Sequence, residues 1–400
     1  MLEARREGVQ LSPLNSIPEV RQVSQVPPRV ILHDVTLRDG EQTPGVVFEI
    51  DTRLQIARAL DALGVQRIEA GFPVTSLDDR EGVAAVANAG LRAEVWGFGR
   101  CLPSDVEVNA SCAVRQVILE ISVSDLKMAA YGLTRERVIR RMREALARAQ
   151  DLGLKVAFMP VDLTRADLNF AEQIITEAVE KGGADEIVVV DTIGVTTPEA
   201  IGYLTDQIRN WVGVPLAVHC HNDFGLALAN SIAALKAGAH CVHVSINCLG
   251  ERAGNVDLAE VVATLEFLYG ADTGVRTERL AETAQLVEEL SGLRLSLSKP
   301  VVGRRIFTRE SGGVVQQLLT SPPSVEPYEP ALVGLERAVI LGKKSGRFSI
   351  IHTMERLGLE ATEPQIEQVL TRVKEFSIAH RRAITDDEFR TILGDVLHGV

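Results

Sequence analysis

Basic charge, aromatic rings and cysteine are all scarce in this chain of 400 residues. Lys and Arg number 42 against 54 Asp and Glu, giving a formal net charge of -12. So acidic a surface speaks against nucleic acid or an anionic membrane as partner. A local cation can still serve an anionic small molecule. The five cysteines, Cys101, Cys112, Cys220, Cys241 and Cys248, are odd in number and form no C-x-x-C pair. Free thiols in a reducing compartment fit better than a disulfide framework, and the cytoplasm is the expected address. No apolar run is long enough to span a bilayer. The opening MLEARREGVQ lacks the apolar stretch of a secretory signal. Hydrophobic residues still make up 46%, enough to build a large core, so global disorder is excluded.

Residues 1–28 are polar and end in VPPR, which reads as a tail or arm. From residue 30 a β-branched run alternates with an amphipathic helical run, and the alternation repeats. Strands are expected at 30–37, 67–72, 93–99, 116–124, 155–162, 186–192, 216–223 and 241–247. Helices are expected between them, among others at 53–63, 135–153, 170–183, 198–212 and 226–238, with another at 256–270. Eight units of about 30 residues suit a closed (β/α)8 TIM barrel of roughly 250 residues. The rival is an open doubly wound sheet, which would carry G-x-G-x-x-G after its first strand. Here LRDGEQTPG stands in that place. The barrel is therefore assigned to 29–273. Residues 274–400 read as a linker, rich in Pro and Gly over 299–334, and a small, mostly helical C-terminal subdomain.

In such barrels the chemistry lies at the C-terminal ends of the strands. His219 and His221 stand two apart on the seventh expected strand, so both rings face one side. Strands 7, 8 and 1 become neighbours when a barrel closes. Asp39 after strand 1 and Asn255 after strand 8 can then meet the histidines. Two imidazoles, a carboxylate and an amide oxygen form a mixed site that suits Mn²⁺, Mg²⁺, Zn²⁺ or Co²⁺. Taken alone, H-x-H on a strand is as compatible with polar core. Arg38, beside Asp39, fits the stabilisation of a developing oxyanion. Thr192, at the end of strand 6, can donate its hydroxyl to a carboxylate. His33, His240 and His243 are read as structural, with support of the site as the alternative for His33, which shares a strand face with Asp39.

Four segments of the barrel together resemble the isopropylmalate synthase and homocitrate synthase family of metal-dependent barrels: LRDGEQTPG (37–45), GFPVTS (71–76), HCHNDFGLALAN (219–230) and LGERAGNVDLAEVV (249–262). ESGG (310–313) and LVGLERAVILGKKSGR (332–347) extend the likeness beyond it. The resemblance implies a Claisen condensation of acetyl-CoA with a 2-oxo acid, giving a 2-alkylmalate-type acid and CoA. It implies a divalent metal held by Asp39, His219, His221 and Asn255, with Arg38 on the charged oxygen. Thr192 would hold the acceptor's carboxylate and Gln42 would line the pocket. It also implies a homodimer in which the linker, around 295–335, is exchanged between subunits. A separate leucine-regulatory domain is not expected before Val400.

The chain departs from that pattern at three places. Val161 stands where many members carry Glu, Val314 where many carry a linker His, and Ile118 where strand 4 often carries His. Glu120, Asp162 and Tyr328 are the candidates to replace the missing acid/base groups. A lyase running the reverse cleavage of a hydroxy acid or its thioester on the same barrel is the second reading. A non-catalytic relative that binds metal and a 2-oxo acid is the third. The acceptor acid is left open.

Overall fold

The computed structural model describes residues 7–398, so residues 1–6 of the expected tail lie outside the described residues. The chain divides into two units. One comprises Pro13–Leu295, and the other joins Glu7–Ser12 to the chain from Ser296 onward.

The first unit is a closed eight-stranded parallel barrel in sequential order. Its strands are β1 (Ile31–Asp34), β2 (Arg67–Glu69), β3 (Glu94–Arg100), β4 (Gln116–Ser122), β5 (Lys155–Val161), β6 (Glu186–Asp191), β7 (Leu216–Cys220) and β8 (Cys241–Val244). Closure is by β1 against β8, with His33 opposite His243 and Asp34 opposite Val244. Most of the strands are buried runs of Val, Ile and Leu, as parallel strands covered on both faces must be. The helices between them start on side-chain caps where the sequence offers one. Ser76, Thr134, Thr197 and Asp257 each accept a backbone N–H of the first turn. The expected helix at 256–270 is α-helical only over Leu258–Ala263 and continues as a π turn to Tyr269.

Alternate residues of β3 to β8 fill the barrel. Trp96, Phe98, Ile118, Ala157, Met159, Val188, Val190, Ala217 and Cys241 form one buried cluster. Near its base, Arg67 of β2 reaches Glu186 of β6 at 2.8 Å, and both are almost fully buried. The unit runs further than the 273 expected, because helix Leu280–Ser291 buries Leu280, Ala284 and Val287 within it. The tail is also more ordered than a polar arm. Pro13–Ser16 and Pro18–Val23 form short helical turns, and Val9 bridges to Tyr328 within the second unit.

The second unit pairs β9 (Thr308–Arg309) with β10 (Ala338–Val339). Its helices are Gly312–Thr320, Arg347–Leu357, Glu363–His380 and Asp386–His398. The first of these falls inside the stretch read as linker. Leu341, Ile350, Val369, Val373 and Phe389 anchor a separate core. Here ESGG and GKKSGR have a packing explanation. A Cβ on Gly312 would stand 2.5 Å from the Gly346 Cα, so the two segments meet backbone to backbone.

The Arg67–Glu186 pair makes the barrel base testable. Glu186→Ala leaves the Arg67 guanidinium only the more exposed Glu94 at 3.4 Å and is expected to lower the unfolding free energy by about 1–3 kcal/mol. The double replacement Arg67→Met with Glu186→Leu is expected to cost much less in the same denaturant titration.

Candidate active site

β7 delivers the two histidines. His219 lies on the strand, and His221 lies just past its end, bridged to Asn255. Period-two geometry carries Ala217, His219 and His221 to the interior side. The two Nε2 atoms stand 3.3 Å apart. Each also faces the Asp39 Oδ2, at 3.6 Å from His219 and 3.7 Å from His221. One donor atom from each of the three residues lies within 4.8 Å of the others. All three residues and Asn255 are buried.

The donor set fits a divalent cation. The distances from the carboxylate to the imidazoles are too long for hydrogen bonds. They match donors arranged around one ion with bonds of about 2.0–2.2 Å. Asn255 donates through Nδ2 to the Leu249 carbonyl at 3.1 Å, while its buried Oδ1 has no partner among the described residues. An orphaned buried carbonyl is an atom a cation would satisfy. Burial, then mutual repulsion with His221, holds His219 neutral, and burial does the same for His221. Neutral imidazole is the form that ligates. Burial opposes charge on Asp39, but the Arg38 guanidinium beside it leads the groups that outweigh it and holds the carboxyl at about 2. Gly250 leaves room for this packing. Its φ is +150°, and a Cβ there would lie 2.4 Å from the Asn255 Nδ2 and 3.0 Å from the Asp39 Oδ1.

Arg38 is locked beside the cluster. Its Nη1 donates to the Asp39 Oδ2 at 2.9 Å and reaches the Gln42 Oε1 at 3.4 Å, while its Nε donates to Glu69. The guanidinium lies 4.1 Å from the Phe98 ring centre. The buried Nη2 has no partner among the described residues. Sequence reasoning missed Glu69, which is fully buried at the end of β2. Burial pushes its carboxyl up to about 7 against the pull of Arg38. Its other oxygen lies 3.2 Å from His33, which stacks on His243 at 4.3 Å. The available signal was an acid inside the apolar run RIEAGF, at the end where barrels keep their chemistry.

Thr192 lies past β6. Its hydroxyl oxygen accepts the Asp162 N–H at 2.7 Å, leaving its proton to donate elsewhere. Arg252 ties the neighbouring loops together, donating to the Thr192 carbonyl at 2.7 Å and to Asp223 at 2.8 Å.

The three acid/base candidates part company. Glu120 stands two residues beyond Ile118 on β4 and so shares its inward face. Burial raises its pKa, with Arg38, Lys127 and Arg100 opposing. Asp162 is a correction to the sequence reading. It has a φ of +65° and follows the inward-facing Val161, so its side chain turns away from the interior. Its carboxylate accepts from Arg165 at 2.7 and 2.8 Å and from Ser124. Tyr328 belongs to the second unit, edge-on to Phe307, and burial pushes its phenol up to about 12. Val314 lies on the Gly312–Thr320 helix of that unit.

Barrel and cluster together define a (β/α)8 enzyme with its chemistry at the strands' C-terminal ends. The HMGL-like family model matches residues 29–287, and that of the homocitrate synthase post-HMGL domain matches 301–381. The chain belongs to the HMGL-like family, in the branch that carries this second domain, and the family is metal-dependent. It is 43% identical to a homocitrate synthase of Methanopyrus kandleri, over 95% of this chain and 96% of the relative. An Ignicoccus hospitalis protein named as a 2-isopropylmalate synthase is 42% identical over 94% of both chains. An Archaeoglobus fulgidus protein named as an (R)-citramalate synthase is 42% identical over 92% of this chain and 76% of its own. Among solved structures, the HMG-CoA lyase of Brucella melitensis shares the barrel fold. Its TM-score is 0.60 at 24% identity, over 66% of this chain and 99% of that one.

Two variants test the site. His221→Ala is expected to lose most of its bound Mn²⁺ in metal analysis after dialysis, while retaining the barrel's circular dichroism. Glu69→Gln removes one of the two acids that bond the buried Arg38, leaving Asp39 at 2.9 Å, and is expected to lower the unfolding free energy by about 1–3 kcal/mol.

Proposed function

We propose that the chain is an acyltransferase that condenses acetyl-CoA with a 2-oxo acid and hydrolyses the product thioester, releasing CoA and a 2-alkylmalate-type acid. The observation that carries this reading is the Asp39–His219–His221 cluster with the Arg38 guanidinium against it, in a chain about 42% identical to three kinds of 2-alkylmalate synthase. Asp39, His219, His221 and Asn255 would hold the metal, Mn²⁺, Mg²⁺, Zn²⁺ or Co²⁺. Bound there, a divalent cation supplies Lewis-acid polarisation of the acceptor's keto group.

The chain's own residues divide the remaining work. Arg38 offers its free Nη2 to the keto oxygen, where negative charge develops as the new C–C bond forms. Thr192 donates its hydroxyl proton to the acceptor carboxylate, and Gln42 lines the same rim. Glu120 takes a proton from the acetyl methyl carbon. It has the attributes of a base: it faces inward, it is in no ion pair among the described residues, and its pKa is raised by burial. Water then cleaves the thioester. The retained second domain favours condensation over cleavage by a lyase of the same barrel. We place the reaction in the cytoplasm, in keeping with five free cysteines, and in a homodimer as the family resemblance implies.

The test is release of free thiol from acetyl-CoA in the presence of Mn²⁺ and a panel of 2-oxo acids, read against a blank without acceptor. Acceptor-dependent release is expected. Silence with every acid, beside cleavage of a hydroxyacyl-CoA, would move the assignment to the lyase. Arg38→Ala is expected to keep its metal and lose about 10²–10³ in kcat. A base acts in its ionised form, so activity should fall as pH drops through the raised pKa of Glu120. The acid limb of kcat/KM should therefore lie above the usual carboxylate range, and Glu120→Gln should remove both the limb and most of the rate.

A further inference from the structure

The barrel interior is two-sided at the level of the cluster. β7, β8, β1 and β2 present the polar half, with His219, His221, Asn255, Asp39, Arg38 and Glu69. β3 to β6 face it with side chains of the opposite character. Phe98, Ile118, Met159 and Val190 are buried there, and Phe72 packs on them from the loop after β2. Val161, the last inward residue of β5, continues this wall toward the rim and is 8% exposed. A 2-oxo acid has a polar head and a variable side chain. With its head on the polar half, its side chain points toward β3–β6.

The charges around that wall limit what the side chain can be. Arg38 is committed to Glu69 and Asp39. Arg67 is committed to Glu186 at the barrel base. Arg100 points its guanidinium at Asp105, with contacts of 2.8 and 3.1 Å. Lys127, after β4, is half-buried and has no ion-pair partner among the described residues, and Glu120 is the one inward acid of β4. A second carboxylate on the acceptor would meet apolar surface and the Glu120 charge. A buried charge without a partner is strongly unfavourable, and a like charge beside it adds to the penalty.

We infer that the acceptor is a 2-oxo monocarboxylic acid with an uncharged, apolar side chain, and that Phe72, Phe98, Ile118, Met159, Val161 and Val190 select it against dicarboxylic acceptors. The inference rests on the condensation reading for turnover, but the selectivity can also be read in binding. It separates this chain from a homocitrate-type reaction, whose acceptor carries a second carboxylate, even though one relative at 43% identity bears that name.

The test compares pyruvate, 2-oxoisovalerate and 2-oxoglutarate with the full-length, Mn²⁺-loaded protein, by thiol release and by calorimetric binding without acetyl-CoA. The best monocarboxylic acid is expected to exceed 2-oxoglutarate by about 100-fold or more in kcat/KM, a ratio that a site rejecting an unpaired polar group reaches. It is also expected to bind more tightly. Equal or better use of 2-oxoglutarate would overturn the inference, and loss of that use in Arg100→Gln would name the cation responsible. No turnover with any acid would defeat the condensation reading alone, and the binding order would still decide the selectivity. Val161→Lys places a cation at the rim of the apolar half and should narrow the ratio about tenfold, with a lower KM for 2-oxoglutarate. An unchanged ratio in a folded, metal-loaded Val161→Lys protein would remove this wall from acceptor selection. If that variant does not fold, the wild-type ratio decides.

Discussion

The buried guanidinium of Arg38 is the constraint around which the catalytic end of the barrel is organised. Burying a cation is unfavourable unless its hydrogen bonds and charge are matched. Here Glu69 and Asp39 match it from β2 and from the turn after β1. The arrangement fixes three things at once. It holds Asp39 ionised beside two neutral imidazoles, as a metal ligand must be. It aims the free Nη2 away from the committed nitrogens. It also ties Glu69 to the Arg38 Nε, so Arg38 cannot swing to a new partner without breaking a buried hydrogen bond.

Rigidity around this pair comes from the loops. Arg53, itself buried, reaches Glu41 at 2.7 Å and Asp79 at 2.6 Å, and donates through Nε to the Phe48 carbonyl. The segment after β1 is thereby tied to the helix that follows it and to the helix after β2. Arg252 does the same for the loops after β6, β7 and β8. The floor is closed by Trp96 and the Arg67–Glu186 pair, so the interior is a packed core and its reactive surface is confined to the rim.

Much of the site was legible in sequence, because two rules carry it. Period two puts His219 and His221 on one face, and sequential barrel closure brings Asp39 and Asn255 to them. Glu69 escaped because a single acid in a three-residue strand looks like any half-exposed position until its partner from the turn after the neighbouring β1 is known. Asp162 was retained as an alternative to Glu120 because strand phase cannot be read past the end of a strand. The backbone turns left-handed at Asp162, and Ser124 and Arg165 claim its carboxylate. The boundary near 273 was too early for a similar reason. The helix Leu280–Ser291 follows a break in the β-α rhythm, and only packing assigns it to the barrel. The Gly312–Thr320 helix was hidden by its two leading glycines, which look like linker until Gly346 is seen against them.

Two of the three departures from the family pattern then become one physical change, while the third, Val314, lies in the second unit. Ile118 and Val161 replace polar groups on the inward faces of β4 and β5, and both join the apolar wall. An acid reappears at Glu120, two residues along β4 on the same face. The carboxylate that the family carries at the Val161 position of β5 is thus exchanged for one on the neighbouring strand, a step deeper, since Glu120 pairs with Met159 and Ser122 with Val161. The exchange leaves β5 apolar and keeps one acid on the inward face of β4. Glu120 has no ion-pair partner among the described residues, beside two arginines that each have one, and that fits the role of base proposed for it.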